Sequence, residues 1–378
     1  MGKFRHQTDP LADQVITDIL KLGEENLVNQ LLQELTQNSD GLPQNLPPEV
    51  KAYFDRTAHL PAWADRELIA LGQDVFARHG MLISMILSCK SLPQTYVCAN
   101  GAMVLYKTGR LGEQRGQMEA YTHRIVETAQ FVVNVMSPGG LSAYGNGIRT
   151  TQKVRLIHAT IRYFIRKYGW DSALYGEPIN QEDMAGTLMA FSALVLEGLE
   201  KLNVQLTAAE KEAYIHCWRI VGHIMGVDEQ LIPNNLLDGF KLGYAIMNHQ
   251  MAESVQGKAL ATALVAFKET ISPEGKLIGM VPEMIRFMVG DEIATMLGVV
   301  ADPIREQEAK RRAREMAGIA ETIEHATFWS GPIANLMSKL MLEGMLVYMG
   351  RGQRIRFQLP ESLRNDWRLQ TPQATIKS

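Results

Sequence analysis

RIVETAQFVVNVMSPGGLSAYGNGIRTTQKVRLIHATIRYFIRKYG, residues 124–169, is the stretch whose reading decides the fold. Val126, Ala129, Val132, Val133 and Met136 recur at helical spacing and predict a helix over about 114–136. Ser137-Pro138-Gly139-Gly140 cannot continue it, because proline lacks the amide proton and paired glycines favour a turn. A glycine-rich loop over 137–149 follows, with Gly145 and Gly147 near its end. Val154, Ile157, Ile161, Phe164 and Ile165 then form the apolar stripe of a second helix, about 150–168, stopped at Gly169. Two long amphipathic helices joined by a short breaker segment point to helix packed on helix.

The same rhythm extends in both directions. Upstream, helices are expected over about 10–21, 23–37, 48–58, 66–88 and 95–108. Asn38, Ser39, Asp40, Gly41 and Pro43 break the chain, and Pro47 and Pro48 can open the next helix. Downstream, helices are expected over about 182–202, 207–226, 235–254, 258–270, 282–299, 304–327 and 331–346. Thr207 with Glu210 three residues on reads as a capping box. The best strand signal is QRIRFQL at 353–359, alternating and bounded by Gly352 and Pro360. No fixed-period repeat and no convincing linker divides the chain. The expectation is an all-α protein with a peripheral helical arm at 1–46, one helical domain at 47–367 and a disordered tail at 368–378.

Composition bounds the function. The chain has 378 residues, 46 % hydrophobic and 21 % charged, which suffices for a sizeable core with a cavity inside it. A formal net charge of -3 gives no electrostatic reason to expect nucleic acid or an anionic membrane. Twenty methionines suit an adaptable apolar interior. Cys89, Cys98 and Cys217 are too few and too scattered for a disulfide framework or a structural zinc site. No secretory signal and no apolar run of membrane-spanning length is seen, so the expected location is the cytoplasm.

Two stripes could carry chemistry. Arg155, His158 and Arg162 share one face of the 150–168 helix beside its apolar stripe. A neutral imidazole can bind iron, and arginine forks suit carboxylates or phosphates. Such a stripe also suits a satisfied boundary histidine between water-facing arginines. Arg124, Glu127 and Thr128 share one face of the preceding helix. An intrahelical Arg–Glu pair and a threonine bonded back to its own helix would explain that spacing equally well. GxGxxG, Walker-A, HExxH, GxSxG, CxxCH and the repeated Glu-x-x-His of di-iron bundles are absent from the sequence.

RIVET (124–128), the glycine-rich loop, VRLIHATIRY (154–163), GEPINQEDM (176–184) and Tyr214 with WRIVGHIMGV (218–227) together resemble the rubber oxygenase family. That family includes latex clearing protein and the oxygenase of mycophenolic acid biosynthesis. The resemblance covers roughly 90–235. It implies a b-type haem held non-covalently in a globin-like helical core wrapped by additional helices. It places the proximal iron ligand on His158, propionate-pairing arginines on Arg155 and Arg162, and distal catalytic residues on Arg124 and Thr128. Rubber-cleaving members carry lysine where this chain has Glu127, which makes rubber a doubtful substrate and gives the position to a proton acceptor. The function expected is a haem-dependent oxygenase using O2 on an apolar, unsaturated or terpenoid-like small molecule. The alternatives are a non-catalytic haem-binding sensor or carrier, and a metal-free module in which Arg155 and Arg162 hold an acidic ligand.

Overall fold

The computed structural model describes residues 1–21, 46–108, 117–271 and 280–326. After a short turn at Gly2–His6, the helices are α1 (Pro10–Lys21), α2 (Pro48–Thr57), α3 (Arg66–Ile86), α4 (Leu92–Val97), α5 (Ala99–Lys107), α6 (Gln117–Met136) and α7 (Asn146–Lys167). They continue as α8 (Ser172–Tyr175), α9 (Gln181–Phe191), α10 (Ala193–Lys201), α11 (Ala208–Met225), α12 (Leu236–Gln250), α13 (Val255–Ile271), α14 (Val281–Val289), α15 (Asp291–Met296) and α16 (Pro303–Ala326). Among the described residues the sole β feature is an isolated antiparallel bridge between Cys98 and Met251. The all-α reading therefore holds. The helices expected at 23–37 and 331–346, the strand at 353–359 and the tail lie outside the described residues. Among the described residues no helix is long and apolar enough to cross a membrane.

Local chemistry explains the helix ends. Asp65 caps α3 by accepting from the amides of Glu67 and Leu68. The capping box at Thr207 and Glu210 forms in full, and Gly226 closes α11 in the left-handed region at φ +80°. The loop between α6 and α7 is shorter than the sequence suggested, because α7 starts at Asn146. Gly147 sits in its first turn, where a Cβ would stand 2.7 Å from the Gly140 oxygen and from Val135 Cα. The end of α6 and the start of α7 are therefore in backbone contact, and α6 and α7 pack along each other.

Four expected helices are interrupted, the one at 95–108 at Cys98, whose ψ of 88° is not helical. The helix expected at 66–88 runs through a π-helical segment, Leu87–Ser91, straight into α4. Pro93 lacks the amide proton that an unbroken α-helix would direct at the carbonyl four residues back, and the widened turn lies just ahead of it. The Leu92 amide accordingly donates to the Leu87 oxygen, five residues back. The span 182–202 breaks at Ser192, whose hydroxyl donates to the Leu188 oxygen within the buried core. The span 282–299 breaks at Gly290, at φ +86°.

The core centres on α3 against α11, and α7 packs on both α1 and α11. At the α3–α11 crossing a Cβ on Gly72 would lie 2.4 Å from the Ala213 oxygen and 2.7 Å from Cys217 Sγ. The described part of the 1–46 segment is built into this body. Phe4, Ala12, Val15, Ile16 and Ile19 are buried, and Asp9 is 3 % exposed. Gln181 fastens this segment: its amide donates to the Gln7 oxygen, and its side chain donates to the Thr8 and Gly226 oxygens.

Candidate active site

A cavity of ≈ 330 Å³ lies between these helices. One wall is α6, through Arg124, Glu127, Thr128 and Phe131; the next is α7, through Val154, Ile157, His158 and Ile161. Met184, Gly186 and Phe191 of α9 and Trp218, Val221 and Met225 of α11 face them, and Gln94 and Cys98 close another side. Arg124, Glu127 and Thr128 of one stripe and His158 of the other thus meet on one largely apolar chamber. A dry pocket with a few placed polar groups is the usual form of a small-molecule site.

His158 is the polar group of the α7 wall. Its Nδ1 is buried with no hydrogen-bond partner among the described residues. Burial pushes its pKa down to about 4, with Arg162 and Arg124 adding to the drop and Asp9 opposing it. The residue is half-buried by exposure, but it lines the chamber, so what it meets is the cavity and not bulk water. The imidazole is therefore neutral at pH 7, the form that ligates metals.

On the α6 wall, Glu127 is 4 % exposed. The Thr128 hydroxyl donates to the Arg124 oxygen at 2.9 Å, so its proton is committed to the helix and only its lone pairs remain for a ligand. The Arg124 guanidinium is then the donor-only group of this wall.

Arg155 and Arg162 are not brought to the cavity. Arg155 donates to Asp9 at 2.5 and 2.8 Å and to the Ile224 oxygen at 2.9 Å. Arg162 donates to Asp13 at 2.7 Å and to the Ile179 oxygen at 3.2 Å. Helical geometry is the cause. The residues facing the chamber are 154, 157, 158 and 161, while 155 and 162 turn toward α1. Asp9 takes up the Arg155 fork, whereas Arg162 meets Asp13 through Nε alone and its buried Nη2 has no hydrogen-bond partner among the described residues.

Asp183 and Trp218 were not among the site residues expected from the sequence. Asp183 lines the chamber, and its Oδ1 accepts from Arg5 Nη1 at 3.2 Å. Burial pushes its carboxyl up to about 6, against the pull of Arg5 and a hydrogen bond from Gln250. Trp218 lines the chamber and packs on Phe131, with ring centroids 6.2 Å apart. The stretch PINQEDM carried the signal for Asp183, but nothing local separates a cavity carboxylate from a helix-start one.

Haem iron needs one or two protein ligands, because the macrocycle brings four nitrogens with it. Among the described residues no group of three or more His, Cys, Asp or Glu side chains could hold a bare metal ion. A single neutral imidazole in an apolar chamber fits iron that arrives in its own chelate.

The family model described as ER-bound oxygenase MpaB/B′ and rubber oxygenase, catalytic domain, matches residues 97–370, well past the motifs at 90–235. The rubber oxygenase of Streptomyces sp. (strain K30) is 23 % identical over 365 residues, covering 93 % of this chain and 85 % of that protein. The solved structure of latex clearing protein in the closed state superposes with a TM-score of 0.76 at 21 % identity, covering 94 % of each chain. The all-α fold is thus shared with that structure.

Proposed function

The chain belongs to the MpaB/B′ and rubber oxygenase catalytic-domain family and is an oxygenase, and from that premise we propose that it binds b-type haem through His158 and oxidises a small apolar, unsaturated or terpenoid-like molecule with O2. The observation that carries this reading is the neutral imidazole of His158 set in an apolar chamber that Arg124, Glu127 and Thr128 also line. When bound, haem supplies the iron that activates dioxygen. The chain's own part is to bind and orient. His158 offers a nitrogen lone pair that no proton competes for at neutral pH. Arg124 presents permanent positive charge to an electron-rich group in the chamber. Glu127 holds or gives up a proton at its carboxylate, which a lysine at that position could do only as a cation. Phe131, Val154, Ile157, Ile161 and Trp218 exclude water and suit a hydrocarbon body. The glutamate also supports a substrate other than rubber.

The deciding measurement is an absorption spectrum of protein expressed with haem supplied, as isolated and after dithionite. A Soret band with a b-type pyridine haemochrome is expected for the wild type, and loss of bound haem for His158→Ala. Full haem retention with an unchanged spectrum in that variant would remove the ligand assignment. Haem binding without oxygen consumption across a panel of alkenes would leave a sensor or carrier.

A further inference from the structure

Gln94 stands one turn beyond the π-helical segment, on the cavity wall, and is 5 % exposed. Its side-chain oxygen accepts from Lys90 Nζ at 3.3 Å. Lys90 is 1 % exposed and also donates to Glu197 at 2.9 Å. Burial lowers the Lys90 pKa and Glu197 resists that drop; the carboxylate 2.9 Å away keeps an ammonium there at neutral pH. An ammonium only donates, so it selects the oxygen end of the carboxamide and turns the nitrogen away. That nitrogen makes no hydrogen bond among the described residues, although the side chain is almost entirely buried. Because Gln94 lines the cavity, this unengaged donor is open to a group inside a chamber that offers few other polar partners. The segment is also rigid, because Ser91 Oγ donates to the Ala190 oxygen at 2.6 Å and pins the π-helical turn to α9.

We propose that Gln94, oriented by Lys90, is the polar recognition point of the chamber, and that its amide N–H groups receive a neutral oxygen acceptor, a hydroxyl or carbonyl, on an otherwise apolar ligand. The charge arrangement selects a neutral group. The Lys90 ammonium is already matched by Glu197, and of the ionisable residues lining the chamber Asp183 and Glu127 are carboxyl residues while the Arg124 cation stands on the α6 wall. A ligand carboxylate would enter that surrounding without a free cation beside Gln94. Gln94 is the recognition residue, and Lys90 is a positioning residue acting through it.

This inference rests on the chamber being the ligand site of the proposed oxygenase. The test is calorimetric titration of the full chain with 1-decanol, decanoate and 1-decene, with haem content of each sample read from its absorption spectrum. Gln94→Leu keeps the volume and removes the donors; Gln94→Glu keeps the shape and places a carboxylate against Lys90. Both variants are expected to weaken 1-decanol about fivefold, the worth of one neutral hydrogen bond, and to change 1-decene less than twofold. Lys90→Met is expected to weaken 1-decanol in the same direction by freeing the carboxamide to flip. Equal weakening of alcohol and alkene, no binding of 1-decanol to the wild type, or decanoate bound tighter than 1-decanol would each overturn the proposal. So would loss of haem in Gln94→Leu with alcohol binding intact, which would give Gln94 to the cofactor. Absence of haem from the wild type would strike the haem reading alone, since the alcohol–alkene contrast is read regardless.

Discussion

His158 joins function and stability in one group. Its pKa of about 4 in the fold lies below the ordinary 6.5, so between those values the unfolded chain binds more protons than the native one. The stability of haem-free protein should therefore fall as pH drops from 6.5 toward 4, by up to about 3 kcal/mol. Urea denaturation at pH 7 and pH 4.5 reads this directly, and His158→Phe should flatten the difference; an equal pH dependence in both proteins would refute it. Asp9 gives a second prediction at this scale. It neutralises Arg155 in the interior, with side chains 3 % and 9 % exposed. Asp9→Ala leaves that guanidinium buried without its counter-charge and should cost roughly 3–5 kcal/mol, whereas removing both charges with apolar residues should cost far less. The midpoint of denaturation in the two variants decides it. At position 127, Glu127→Lys offers a nitrogen to a bound iron, so the ferric spectrum should shift; an unchanged spectrum would place residue 127 away from it.

Helix interruptions, more than helix lengths, set the geometry at the level of the elements. The α3–α11 contact depends on Gly72, where a Cβ would meet main-chain atoms of Ala213 that cannot swing aside. Gly72→Ala should force the helices apart and destabilise by about 1–3 kcal/mol, measured by thermal or chemical melting. Wild-type stability in that variant would mean that the crossing has slack. The π-helical turn at Leu87–Ser91 has another consequence. It resets the phase of the chain so that Lys90 lies buried against α10 while Gln94, four residues on, reaches the cavity. The apolar periodicity of 66–88 and 95–108 was legible, but it pointed to a gap where the chain is continuous helix. A proline inside a helix is absorbed only when tertiary packing compensates for it, and here Ser91 bonded to α9 contributes to that.

Taken as a whole, the molecule wraps its cavity with segments distant in sequence. Residues 1–21 cover α7 and set Asp9 and Asp13 against the buried Arg155 and Arg162. Deleting residues 1–21 would expose the apolar surface under Ile16 and Ile19 and strand two buried cations. The truncated protein should lose its cooperative thermal transition and its near-ultraviolet circular dichroism. A truncated chain that melts as sharply as the full one would show that this segment is dispensable.

What the sequence determined by itself is the helical class, most helix positions, and the two stripes that meet at the cavity. These are local properties, because an apolar period of 3.6, a capping box at Thr207 and a Pro-Gly-Gly stop act through neighbours a few residues away. Periodicity put Arg124, Glu127, Thr128 and His158 on their helix faces, but a boundary histidine and an intrahelical Arg–Glu pair fit the same spacing, and the family resemblance is what singled them out. Only the tertiary structure decided that Arg155 and Arg162 turn to α1. Whether an arginine one position off an apolar stripe faces ligand, water or another carboxylate depends on what packs there, and Asp9 and Asp13 are more than 140 residues away in sequence. The same holds for Gln94. A glutamine after a proline carries no local sign of a buried donor, which arises only when Lys90, Glu197 and the cavity wall come together.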